Sequence, residues 1–151
     1  MILDAQSISA LAIAFALMPA AQLLALSLPK DVASKYKYLF LWHAYDFLTH
    51  FILEGSYLYY CFSEVDGQYG PNFGSGTMAR LWQEYAKADS RWGGADLTIM
   101  SLEILTVGLA GPGSMYIAYL IYRISKGDSR LRARMWFLAT ILATAELYGG
   151  E

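Results

Sequence analysis

YLFLWHAYDFLTHFILEGSYLYYCF, residues 38–62, is long enough to cross a bilayer as a helix, yet it carries His43, Asp46, His50 and Glu54. A helix needs about 20 mainly apolar residues to span about 30 Å of hydrocarbon. Ionisable groups at that depth cost about 2.5–3.5 kcal/mol each and normally face a cavity or a partner. At about 100° per residue, with His43 taken as the origin, the four fall at about 0°, −60°, −20° and +20°. Tyr57 joins them at about −40°, so the set occupies one stripe roughly 80° wide. The stretch therefore reads as a membrane helix with one titratable, inward-facing side.

The rest of the chain agrees. Of its 151 residues 56% are hydrophobic and 16% charged, against about 25% charged in ordinary soluble domains. Such grease excludes a disordered chain. A formal net charge of −2 gives no electrostatic footprint for nucleic acid. A lone cysteine, Cys61, excludes an internal disulfide framework and a multi-thiolate zinc site. Three further spans follow: Ile8–Leu28, Leu97–Ile124 with Gly111-Pro112-Gly113 predicting a kink, and Met135–Tyr148. The last holds about 14 residues, or about 21 Å of helix, a short crossing. The leader MILDAQS has Asp4 and no Lys or Arg, unlike the basic start of a secretory signal, so the first span reads as retained. The fold class expected is all-α, a polytopic membrane bundle of four spans forming one domain over residues 1–151.

Loops 29–37 and 123–134 hold Lys30, Lys35, Lys37, Arg123, Lys126, Arg130, Arg132 and Arg134. The positive-inside rule places both in the cytosol, with the N-terminus and loop 63–96 lumenal. That loop is turn-rich at first and then, over 77–87, presents Met78, Leu81, Trp82 and Tyr85 at helical spacing, an amphipathic helix suited to the interface.

The third span repeats the titratable stripe. Asp96, Glu103, Thr106 and Ser114 fall within about 80° of one another, and Glu146 follows in the fourth. Glu103, deep among apolar neighbours, is suited to hold and deliver a proton. Two bland readings stand beside this: His50, Glu54 and Glu103 can serve helix association alone, and Asp96 at a helix start can be an N-cap. His43 and Asp46, nearer the cytosolic end, read better as structural. Imidazole and carboxylate both ligate metals, but the chain has neither HExxH nor a cysteine-rich spacing, and no metal or other cofactor is expected.

These residues carry a family likeness. His50-Phe-Ile-Leu-Glu54-Gly55 resembles the H-x-x-x-E-G core of the emopamil-binding protein family, the membrane sterol isomerases, whose domain is called EXPERA. Leu81-Trp82-Gln83-Glu84-Tyr85-Ala86-Lys87-Ala88-Asp89-Ser90-Arg91 is similar to that family's W-K-E-Y-A-K-G-D-S-R segment. DLTIMSLEILT (96–106), Gly111-Pro112 and Leu147-Tyr148-Gly149 follow in the family's order. The resemblance implies an endoplasmic-reticulum protein around a sterol-sized cavity, with five helices where this chain shows four. It implies an isomerase that moves a ring double bond of a sterol or other polycyclic terpenoid by protonation and deprotonation through a carbocation. His50, Glu54 and Glu103 would be the acid–base set, with Thr106 bonding to them. Glu84, Tyr85, Asp89 and Arg91 would line or brace the mouth, with Trp42, Asp46, Tyr57, Trp82 and Glu146 around the substrate. The expected partners are a lipophilic polycyclic substrate and membrane lipid, with lipid or a second copy in a homodimer closing the side left by the fifth helix. A related cyclase or rearrangement enzyme, and a non-catalytic sterol or cationic-amphiphile binder like the sigma-2 receptor, are the alternatives.

Overall fold

The computed structural model describes residues 5–149; the leader with Asp4 and the final Gly150-Glu151 lie outside them. Five main helices carry the described residues. Helix α1 is Ala5–Ala25. Helix α2 covers 34–62 in three continuous pieces, Ser34–Leu48, Thr49–Glu54 and Gly55–Phe62. Helix α3 is Thr77–Tyr85, α4 is Leu97–Ser125, and α5 is Arg132–Gly149. The only strand-like pairing among the described residues is an isolated bridge, Val65 to Gln68. It closes a tight turn in which Asp66 and Gly67 both take positive φ, 51° and 78°, the geometry that Asp-Gly favours.

By length and composition two helices can cross a membrane, Ser7–Ala25 and Leu97–Ser125. Helix α2 is as long but is loaded with the titratable stripe. Helix α5 starts three residues before the apolar run, because Arg132 and Arg134 are good helix formers and a 3-10 turn at Ser129–Leu131 leads straight into it. Its 18 residues give about 27 Å, more than the apolar run alone. Asp96 caps α4, accepting from the Thr98 and Ile99 amides at 3.0 and 3.1 Å, so the capping reading of this acid holds.

The centre of the bundle is the packing of α2 against α4, with α1 on one flank of α2 and α5 against α4. Two apolar clusters form. One joins Ala21, Phe40, Ala44, Ile117, Leu120, Ile121, Ile124, Met135 and Ala139 at the basic-loop end. The other joins Tyr57, Cys61, Trp82 and Ile99 at the opposite end, with Trp92 packed on it. Buried His50, Glu103 and Ser114 lie between the two in sequence along α2 and α4, and buried His43 adjoins the first cluster. The dry layers above and below leave a polar layer in the middle of the helix pair.

Both central helices contain one π-helical turn. Residues Thr49–Glu54 of α2 and Thr106–Ala110 of α4 are wound this way, and the Gly55 and Gly111 amides reach back five residues to the His50 and Thr106 carbonyls. The proline explains the second position: Pro112 has no amide hydrogen to continue the regular ladder. The two turns pack against each other. Gly111 makes that approach possible, since a Cβ there would lie 2.9 Å from Phe51 Cε2 and 3.2 Å from His50 Cβ.

Candidate functional site

The facing π-helical turns carry the chemistry. A π-helical turn inserts one extra residue, which rotates everything beyond it by about 100° at 3.6 residues per turn. His43, Asp46 and His50 precede or open the turn of α2 and keep their common side. Tyr57 lies beyond it and leaves the stripe on which regular winding places it. Because α4 slips as well, Ser114 beyond its turn still meets α2.

The result is a connected set of polar groups. His50 Nδ1 lies 2.6 Å from Glu54 Oε2. Thr106 Oγ1 donates to the same carboxylate oxygen at 2.6 Å, so the two turns are tied by Glu54. On the other side of the ring, His50 Nε2 is 3.5 Å from Asp46 Oδ1 and 3.7 Å from Glu146 Oε1. Asp46 in turn accepts from Ser114 Oγ at 2.5 Å, and Ser114 Oγ lies 3.0 Å from His43 Nδ1. Glu103 is 3% exposed, faces Glu54, and keeps Oε2 without a hydrogen-bond partner. Three helices thus converge: α2 supplies Asp46, His50 and Glu54, α4 supplies Glu103, Thr106 and Ser114, and α5 supplies Glu146. A buried and a half-buried carboxyl, with a histidine on the second, can exchange protons with a bound alkene, and the apolar layers exclude competing water.

Other residues singled out in the sequence lie elsewhere. Trp42 is 57% exposed, on the outer side of α2 from its neighbour His43, and is not brought to the cluster. Tyr57 and Trp82 are fully buried, but in the aromatic layer: Tyr57 donates to the Gly94 carbonyl at 3.0 Å and Trp82 Nε1 to Ser56 Oγ at 2.9 Å. Trp82 stacks on Trp92 with centroids 5.1 Å apart, and Tyr57 and Tyr85 meet Trp92 edge-on. Trp92 went unnoticed in the sequence because no spacing marks it; only the fold of loop 86–96 brings it back onto α3. Asp89 and Arg91 brace that loop, where Arg91 donates to Asp89 through its guanidinium and its amide. Glu84 ties three elements together rather than facing a cavity. It accepts from Ser7 at 2.6 Å and from Lys87 at 2.5 Å, and the lysine and the hydroxyl hold its carboxyl below the usual range.

A groove of about 350 Å³ opens elsewhere, between α1, α2 and α4. Leu24, Phe40, Phe47, Met115 and Ala118 line it. It carries no member of the polar cluster.

The chain is similar to known proteins. Residues 77–151 match the EBP family model, described as EXPERA (EXPanded EBP superfamily). An Arabidopsis thaliana protein named "Probable 3-beta-hydroxysteroid-Delta(8),Delta(7)-isomerase" is 32% identical over 113 residues, 75% of this chain and 45% of the relative. A protoglabretal synthase of Ailanthus altissima is 30% identical over 115 residues, 75% of this chain and 46% of that one. The 3-beta-hydroxysteroid-Delta(8),Delta(7)-isomerase of Cavia porcellus is 29% identical over 110 residues, 72% of this chain and 41% of that one. The chain spans about half the length of the curated relatives it matches.

Proposed function

The chain belongs to the emopamil-binding protein, or EXPERA, superfamily, and we propose that it works as an integral-membrane isomerase on a sterol or other polycyclic terpenoid. The observation that carries this reading is that Glu103, one turn before the π-helical turn of α4, faces Glu54, with His50 and Thr106 both on Glu54. Glu54 accepts two short hydrogen bonds, which hold it as the carboxylate, the form that can take up a proton. Glu103 has an unpartnered buried oxygen, which suits it to present one.

The step balances without a cofactor. Glu103 adds a proton to one carbon of the ring alkene, giving a tertiary carbocation. Glu54 removes a proton from the carbon on the other side of the cation, and the electron pair of that C–H bond becomes the shifted double bond. The proton then returns from Glu54 to Glu103 through their mutual contact. His50 and Thr106 hold Glu54 in place throughout, and the two carboxyl groups stabilise the positive charge as it develops.

Four membrane spans, α1, α2, α4 and α5, fit the exposed surface. Phe15, Leu23, Leu105, Leu109, Phe137 and Ile141 all face outward, as lipid-facing positions do. The exposed hydroxyls of Thr140 and Thr144 close onto the carbonyls of Trp136 and Thr140, leaving nothing polar to satisfy in hydrocarbon. The basic loops then lie in the cytosol and loop 63–96 in the lumen of the endoplasmic reticulum. Lipid, a second copy or further chain would close the side of the polar layer next to Glu146.

The test is product analysis in microsomes carrying the chain, supplied with a delta-8 sterol in deuterated water. Glu54→Gln and Glu103→Gln should each lower turnover by about 10²-fold or more. Unchanged turnover in both variants would overturn the proposal. The synthase name of the Ailanthus altissima relative favours a second reading in which the same acid starts a rearrangement. In that case a triterpenoid epoxide or alcohol gives a product and the delta-8 sterol does not. Absence of deuterium from every sterol recovered would mark a binding protein instead.

A further inference from the structure

We propose that Asp46, His50 and Glu146 form a binding site for a divalent transition-metal ion of the zinc type. His50 Nε2, Asp46 Oδ1 and Glu146 Oε1 approach one another at 3.5 and 3.7 Å from the ring nitrogen, and one donor atom from each residue lies within 4.8 Å of the others. Donors held about 2.0–2.1 Å from a tetrahedral ion stand about 3.3–3.4 Å apart. Both carboxylate oxygens therefore stand within a few tenths of an ångström of that spacing from the ring nitrogen, and the three donors lie within 4.8 Å of one another.

The ring nitrogen itself points to a ligand. His50 is 6% exposed, and Nε2 is buried with no hydrogen-bond partner although two carboxylates lie close by. Glu146 Oε1 is likewise buried and unpartnered. Two carboxylates and a neutral imidazole cancel a charge of +2 and leave a fourth position open.

The surrounding groups fit as well. A metal-bound histidine characteristically donates its other ring N–H to a carboxylate, which fixes tautomer and orientation. Here Glu54 Oε2 sits 2.6 Å from Nδ1. Asp46 is oriented in the same way, because Ser114 donates to its second oxygen and His43 holds Ser114. One imidazole with two carboxylates suits zinc and cobalt(II) better than calcium or magnesium, which take oxygen ligands alone. An ion on Nε2 leaves the Glu54–Glu103 pair in place, so the site stands whether or not the isomerase reading holds.

The experiment measures metal and not product. The detergent-purified full chain, stripped with chelator, is titrated with zinc(II) and separately with cobalt(II), whose visible absorption reports four-coordinate nitrogen and oxygen ligation. The expected result is one equivalent bound, with cobalt absorption displaced by zinc. Glu146→Gln and Asp46→Asn should each weaken binding about 100-fold or more, and Glu54→Gln, acting through the far ring nitrogen, about 10–100-fold. Glu103→Gln should bind as the unaltered chain does. Circular dichroism on each variant confirms that the helices remain, and the cobalt spectrum of the unaltered chain tests the site independently of any variant. Absence of the cobalt spectrum, or equal binding by the unaltered chain and by Glu146→Gln, would overturn the site and leave His50 as a protonated partner of the two acids.

Discussion

Gly111→Ala is the sharpest probe of the architecture, because Gly113 two residues along the same helix serves as its control. A Cβ at Gly111 would stand 2.9 Å from Phe51 Cε2 and 3.2 Å from both Phe51 Cδ2 and His50 Cβ. Carbon pairs prefer about 3.5–4.0 Å. The Phe51 ring is 43% exposed and can swing outward, but His50 Cβ moves only with the backbone of the π-helical turn. At Gly113 the new methyl meets Leu142 side-chain carbons at 3.6 and 3.7 Å, ordinary contact. Both substitutions gain up to about 1 kcal/mol of helix propensity, while overpacking at Gly111 costs about 1–3 kcal/mol. Gly113→Ala should therefore be neutral or stabilised and Gly111→Ala less stable than it by about 1–3 kcal/mol. The assay is thermal unfolding in detergent followed by circular dichroism. A displacement of a few tenths of an ångström at His50 should also reduce turnover several-fold, given that about 1 Å of misplacement can cost about 10². A Gly111→Ala chain as stable as Gly113→Ala would show that α2 and α4 do not meet through facing π-helical turns.

Two further predictions concern the ends of the bundle. Asp96→Ala removes the acceptor of the Thr98 and Ile99 amides and should cost about 0.5–2 kcal/mol in denaturant titration, while Asp96→Asn restores most of it; equal losses in the two variants would mean that the capping bonds are not what the acid supplies. Glu84, held below its ordinary 4.5 by Lys87 and Ser7, adds stability above that value and loses it as pH falls through and below it, because the unfolded chain takes up the proton first. The melting midpoint should therefore fall on acidification from about pH 6 to about pH 4 more steeply in the unaltered chain than in Glu84→Gln, and parallel profiles would contradict the tie between α1 and α3.

Much of this protein is legible in its residues. Apolar runs bounded by charge set where the helices lie, since burying or lipid-facing twenty apolar residues outweighs local preferences. The stripe of His43, Asp46, His50 and Glu54 holds because two of the four lie before the π-helical turn and two within it, none beyond. Asp96 as a cap follows from chemistry confined to three neighbouring residues. What fails is anything carried across a π-helical turn. Tyr57 leaves the stripe for the layer of Trp82 and Trp92, because counting at a constant angle per residue does not see an inserted one; Trp42, ahead of the turn, stays outside because it points about 100° away from its neighbour His43. Whether an amide bonds four or five residues back changes local energy little, and close packing of Gly111 against His50 and Phe51 decides it. The sequence alone thus determined the helices, their order and the presence of buried acids. Only tertiary structure decided which acids meet: Glu54 with Thr106 and Glu103, and Asp46 with Glu146 around His50 Nε2. Those partners lie on different helices, and long-range packing brings them together.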